Sequence, residues 1–396
     1  MRIAIIADVY PPLRSSGAVQ LRDLSREMAK QGHIVTILIP DPNIPQRWSL
    51  EMRDGIEVLR LRSFRTRDTG YLRRTLAELA MPYAMRFNFK LSPIANRQFD
   101  GVVWYSPTIF LGPLVKWIKD KNKCRSYLII RDIFPEWAVD MGLMRKGPAY
   151  QFFRKIADYQ YSVADIIGVQ TPGNVTFFNR PYISARVEIL HNWLSEMTAH
   201  FCSIDLSKTS LAGRRIAVYA GNMGIAQGMS QIMAMAKSLV HEERIGFVFV
   251  GRGTDADTLR NEAITEGLSN VLFFDEIDPD EIAGLYAQCD IGLVALDPKH
   301  RTHNIPGKFI SYMHSGLPAF AVVNPGNDII ELIETNAVGW ASADEATEAM
   351  AQKLSAGLQE VALDNGIRLR CKELASALFG AEGAAKQVTN GLQMKH

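Results

Sequence analysis

Apolar residues follow two alternating rhythms along this chain. Short runs rich in Ile, Val and Leu alternate with longer stretches in which apolar residues recur every third or fourth position. The first run is RIAIIAD, Arg2–Asp8. A loop, Tyr10–Gly17, leads into a helical stripe of Val19, Leu21, Leu24 and Met28 that ends near Gly32, and His33–Pro40 is the next run. This is a strand–helix–strand unit, the start of a Rossmann-like sheet buried on both faces. Further strands are expected at Glu57–Arg62, Gly101–Ser106, Cys124–Ile130, Ala164–Thr171 and Val187–Leu190. The rhythm lapses over Ser195–Gly213, a polar stretch that reads as a linker. It resumes at Arg215–Gly221, Phe247–Gly251, Asn270–Phe274, Ile291–Leu296 and Ala319–Val323, a second parallel sheet. From about Asp344 the pattern is helical and lacks strands.

The expected class is α/β, with two Rossmann-like parallel-sheet domains facing a central cleft. The first is drawn over residues 1–195, braced by C-terminal helices at about 365–396, and the second over 196–364. A chain of 396 residues is too long for one ordinary core and suits two. The net charge of +2 gives no polyanion-binding signature, so nucleic acid is not an expected partner. Cys124, Cys202, Cys289 and Cys371 form no CxxC pair, which points to a reducing, cytoplasmic compartment. The apolar run at the start is too short for the core of a signal peptide. Gly101–Val115 holds two prolines and is too short to span a bilayer.

The basic balance is local. From Arg60 to Arg97 nine Lys or Arg stand against Asp68 and Glu78, with Tyr71, Leu72, Leu76, Tyr83, Phe87 and other large apolar residues between them. That mixture fits an anionic lipid surface, and it equally fits a core helix with a solvated basic face.

Chemistry is expected at the carboxyl ends of strands. RDIFPEW puts Arg131, Asp132 and Glu136 there in the first half, and Asn192 follows the last strand of that half. In the second half, Gly221, Asn222, Gly224 and Gln227 form one glycine-rich strand-to-helix turn, and Gly251 and Arg252 form another. THNIPGKFISYMHSGLP, Thr302–Pro318, opens a short helix with Lys308 in its first turn. Helix starts with free N–H groups and a lysine at one sheet edge are what a diphosphate needs. Two DxD pairs resemble metal ligands, but Asp278 before Pro279 reads as a helix cap and Asp255 and Asp257 complement a helix dipole. His303 lies in a loop, where contact with a phosphate or hydroxyl is expected rather than zinc ligation.

YAGNMGIAQG (219–228), FVGRG (249–253), HNW (191–193), RDIFPEW (131–137) and IPGKFISYMHSGLP (305–318), taken together, resemble the retaining family-4 glycosyltransferases of the GT-B fold. The likeness runs from residue 1 to about 380. It is strongest to the subgroup that adds N-acetylated deoxysugars, such as N-acetylfucosamine, to lipid-linked O-antigen or capsule repeats. The resemblance implies a UDP-sugar donor, a lipid-linked saccharide acceptor, neither metal nor resident cofactor, and a location at the inner face of the cytoplasmic membrane. Carried over, Gly17 lies in the first-domain loop facing the substrates, Asp132 closes the fifth strand, and Arg131, Glu136, Asn192 and His303 line the cleft. Asn222 and Gln227 stand where many members have an arginine and a lysine, so neutralising the diphosphate falls to Lys308. Two family glutamates, eight positions apart, correspond here to His303 and Ser311. These departures keep open a non-catalytic scaffold of the same shape, and, less well matched by the motifs, a sugar-nucleotide epimerase.

Overall fold

The computed structural model describes the chain except residues 14, 67, 182, 200, 225–226, 298–304, 344 and 395–396. Two compact units emerge: Met1–Ser195 together with Ala381–His396, and Glu196–Gly380.

The first unit opens with β1 (Arg2–Ile6), whose Ile3–Ile6 are wholly buried, and α1 (Ser16–Lys30). Ser15 caps α1 by accepting from the Ala18 N–H at 3.3 Å, and Leu21, Leu24 and Met28 form its buried stripe. Then come β2 (Ile34–Asp41), β3 (Trp48–Arg53), β4 (Ile56–Arg62), α2 (Tyr71–Phe89) and β5 (Gly101–Tyr105). The unit continues through α3 (Gly112–Asn122), β6 (Arg125–Ile129), α4 (Glu136–Asp140), α5 (Pro148–Val163), β7 (Ile166–Val169), α6 (Pro172–Phe178) and β8 (Arg186–Ile189). The sheet order is β3-β4-β2-β1-β5-β6-β7-β8, parallel except at β3–β4. Chain direction across the sheet reverses between β1 and β5, so their carboxyl ends open the crevice where such sheets bind ligands.

Strand β3 departs from the expected pattern. It is a half-exposed edge strand joined to β4 by Asp54–Gly55, both left-handed (φ 53° and 76°), the backbone of a tight hairpin turn. WSLEMR lacks the continuous apolar run of the inner strands, so only the Asp-Gly pair marks it.

The second unit holds β9 (Arg215–Ala220), α7 (Met229–Ser238), β10 (Ile245–Val250), α8 (Ala256–Thr265), β11 (Val271–Phe274), α9 (Ile282–Tyr286), β12 (Ile291–Ala295), α10 (Gly307–His314) and β13 (Ala319–Val322). It ends with α11 (Asp328–Asn336), β14 (Gly339–Ser342), α12 (Thr347–Leu363) and α13 (Ile367–Leu378). All its strands are parallel, in the order β11-β10-β9-β12-β13-β14, with the reversal between β9 and β12. Strand β14, GWAS, adds an edge that one Trp among small residues does not announce.

The brace on the first unit is shorter than the expected 365–396. Helix α13 stays with the second unit: Arg368 Nη2 donates to Cys289 O at 2.9 Å, and the ring of Phe379, just after it, packs edge-on against Phe309. Only α14 (Ala381–Gln393) returns to the first unit. There Leu392 lies where a Cβ on Gly101 would stand, and Gln387 Nε2 donates to Glu188 Oε1 and Ile189 O. Among the described residues, no helix is long and apolar enough to cross a membrane.

Candidate functional site

In the second unit, the turn after β9 and the start of α10 meet at the switch point of the sheet. Lys308 stands in the first turn of α10; among the described residues neither its N-terminus nor that of α7, at Gly228, has a side-chain cap. No described side chain therefore claims the first N–H groups of either helix. The Lys308 ammonium sits 4.6 Å from the Tyr219 ring centroid. Its stem runs so close to Gly221 that a Cβ there would fall 2.8 Å from Cε. Burial lowers the Lys308 pKa to about 8. Among the described residues the ammonium has no acidic partner, so it is a half-buried cation without a counter-ion.

The two glycine-rich turns are built into each other. Gly221 N–H donates to Val250 O and Met223 N–H to Arg252 O, each at 2.8 Å, and Asp255 N–H returns to Met223 O at 3.0 Å. Gly253, with φ 154°, passes so near that a Cβ would overlap Met223 O. Asn222 and Gln227 face each other: Asn222 Nδ2 donates to Gln227 Oε1 at 3.0 Å, and the same oxygen accepts from Gly224 N–H at 3.1 Å. Tyr219 Oη donates to Asn222 O at 2.6 Å. These side chains thus tie Tyr219, Asn222, Gly224 and Gln227 together. Ser311 Oγ donates back to Gly307 O at 3.1 Å, one helical turn from Lys308. Arg252 is exposed and paired with Glu276 at 3.2 Å. His303 lies outside the described residues.

In the first unit, polar groups gather at the carboxyl edge of the sheet. Arg131 is buried, with Nη1 donating to Leu190 O at 3.1 Å and its guanidinium 4.5 Å from the Trp193 ring centroid. Burial lowers its pKa, and its Nε and Nη2 find no partner among the described residues. Trp193 Nε1 donates to Gln20 O, and Tyr105 Oη donates to Gln20 Oε1 at 2.6 Å, with its pKa raised to about 12 by burial. A Cβ on Gly17 would touch the Tyr105 ring at 3.2 Å. Gln170 Nε2 donates to Arg131 O, Asn192 Nδ2 donates to Gln170 Oε1, and His191 Nδ1 lies 2.8 Å from Gln170 O. Gly17, Arg131 and Asn192 are therefore joined through Tyr105, Gln20, Trp193 and Gln170, and half-buried Asp132 follows directly on Arg131. Glu136 is set apart. It opens α4 in an ion pair with Arg154 and accepts from Tyr150 Oη at 3.2 Å; burial raises its pKa, with Arg154 opposing the shift.

Residues 214–360 match the family model described as glycosyl transferases group 1. The probable glycosyltransferase WbjE of Pseudomonas aeruginosa is 26% identical over 70% of this chain and 70% of its own. The putative colanic acid biosynthesis glycosyl transferase WcaI of Escherichia coli K12 is 22% identical over 99% of this chain and all of its own. Among solved structures, Anabaena HepE in complex with UDP and glucose superposes with a TM-score of 0.66 at 14% identity, over 99% of each chain.

The fold is GT-B. Within this GT-B chain the matched segment lies wholly in the second unit, which also holds Lys308 and both glycine-rich turns. Gln20, Tyr105, Gln170 and Trp193, absent from the expected site, organise the first-unit edge of the GT-B sheet. Tyr105 and Gln170 end or follow strands, and Gln20 lies a turn into α1; their position relative to the sheet is the signal that would have found them.

Proposed function

We propose that the protein is a retaining, metal-independent glycosyltransferase with no resident cofactor. It transfers a sugar, an N-acetylated or deoxy hexose, from a UDP-sugar to a lipid-linked saccharide during assembly of an O-antigen, capsule or exopolysaccharide, at the cytoplasmic face of the inner membrane. The observation that carries this reading is the Lys308 ammonium, held between Tyr219 and Gly221 with no counter-ion among the described residues, beside the starts of two helices. A cation placed in advance where a leaving diphosphate gains charge stabilises the transition state more than the ground state. The bond from the anomeric carbon to the diphosphate oxygen breaks, and the bond to the acceptor oxygen forms on the same face. The acceptor proton passes to the departing phosphate oxygen, so no separate base is required. Lys308 and the 221–228 turn hold the diphosphate, Ser311 contacts the ribose, and Asp132 with the Gly17 loop orients the acceptor. The two relatives named as glycosyltransferases, one of colanic acid biosynthesis, and the UDP-bound HepE structure support the substrate class.

The test is transfer itself. Purified protein, UDP-N-acetylhexosamines or their deoxy forms, and lipid-linked saccharide extract should release UDP only when both substrates are present, and the product should keep the donor's anomeric configuration. Inversion would refute the retaining mechanism. Epimerised free sugar nucleotide would turn the reading to an epimerase. Ser311 Oγ already donates its proton to Gly307 O and stands where the resembling family has a carboxylate, which favours a second reading: a non-catalytic scaffold. That reading requires the folded protein to bind no nucleotide.

A further inference from the structure

Helix α2 of the first unit is apolar on two sides. One side, Ala77, Met81, Met85 and Phe89, is buried against the sheet. The other faces solvent: Tyr71, Leu72, Leu76, Tyr83 and Phe87 are between 55% and 91% exposed. Leu72, Leu76, Tyr83 and Phe87 are spaced by four, seven and four positions. At about 100° per residue they fall within an arc of roughly 60°, a continuous stripe rather than scattered exposures. None of the described residues covers it.

Cations frame the stripe. Arg86, Lys90 and Lys121 surround the indole of Trp117 on α3, with their charges 5.1, 5.8 and 5.6 Å from its ring centroid. Arg47 lies 5.2 Å from the ring of Phe87. The acids on these two helices are engaged elsewhere, Glu78 with Arg74 at 2.9 Å and Asp120 with Lys116 at 3.0 Å. An indole ringed by cations beside an apolar stripe matches the level of a bilayer where headgroup phosphate meets acyl chain.

We propose that this face of α2 and α3 docks on an anionic phospholipid bilayer. Leu72, Leu76, Tyr83 and Phe87 enter the acyl boundary, while Arg86, Lys90 and Lys121 meet the headgroup phosphates around Trp117. The charge pattern selects this occupant over a second copy of the chain, because a two-fold contact through the same patch would set these cations against their own equivalents. The inference rests on the first unit and is independent of the donor site.

Sedimentation of the full chain with vesicles tests it. The protein should pellet with phosphatidylcholine vesicles containing about 30 mol% phosphatidylglycerol, stay in solution with pure phosphatidylcholine, and detach at high salt. The Leu72→Ser/Leu76→Ser/Phe87→Ser variant should bind at least about tenfold more weakly. Neutralising Lys90 or Lys121 to Gln should each weaken binding by roughly fivefold. UDP titration and thermal unfolding of the same variants keep the outcome distinct from a folding defect and from the donor-site reading. A wild-type protein that stays in solution with anionic vesicles at low salt overturns the proposal, as does a triple variant that pellets like wild type. A solution dimer that the triple substitution dissolves would give the face to a second copy instead.

Discussion

Lys308 concentrates the chemistry in one side chain. Its ammonium is desolvated, so its pKa falls from 10.5 to about 8, and the charged form is less stable in the fold than in the unfolded chain. That cost is fully present below about pH 8 and is relieved as pH rises from there toward 10.5, because over that range the unfolded chain binds the extra proton. Lys308→Met should therefore melt above wild type at pH 7, and the gap should narrow by pH 10; an unchanging gap would show that Lys308 carries no such penalty. A bound diphosphate reverses the preference and raises the lysine pKa. UDP affinity should then fall with rising pH above about 8, by up to about tenfold per unit. Lys308 was legible in the sequence because a lysine in the first helical turn after a strand has a direct physical reading. The pairing of Asn222 with Gln227 was not: a spacing of five positions gives no sign that the two amides meet.

At the scale of elements, the second unit depends on two turns locked backbone to backbone. Gly253→Ala would force a methyl onto Met223 O at a φ of 154°. We expect a loss of roughly 2–4 kcal/mol in thermal unfolding, with weaker UDP binding as the 221–228 turn shifts. Unchanged melting would mean that the contact is not structural. The inner strands were readable because parallel strands buried on both faces are continuous apolar runs. The edges β3 and β14 were not, since neither WSLEMR nor GWAS is a continuous apolar run. Helix α2 is the intermediate case. Its mixture of basic and apolar residues was evident, but whether the apolar side faces core or water depends on packing, and here it faces both.

For the whole molecule, each unit brings its chemistry to the switch point of its own sheet. The second unit offers a cation and the starts of two helices. The first offers a buried guanidinium stacked on Trp193 and joined to Gln170 and Asn192. The boundary at Ser195 was marked by the lapse of the apolar rhythm, whereas the return of α14 alone was not. Helices α13 and α14 are both amphipathic, and only their partners, Phe309 and Cys289 for one and Gly101 and Glu188 for the other, assign them to different units. Calorimetric titration of UDP into wild type and Lys308→Ala at pH 7 decides whether Lys308 holds the diphosphate. A saturable site in wild type that weakens by at least about thirtyfold in the variant, with the fold intact, is the predicted result. Equal affinity in both proteins, or no binding by folded wild type, would contradict it.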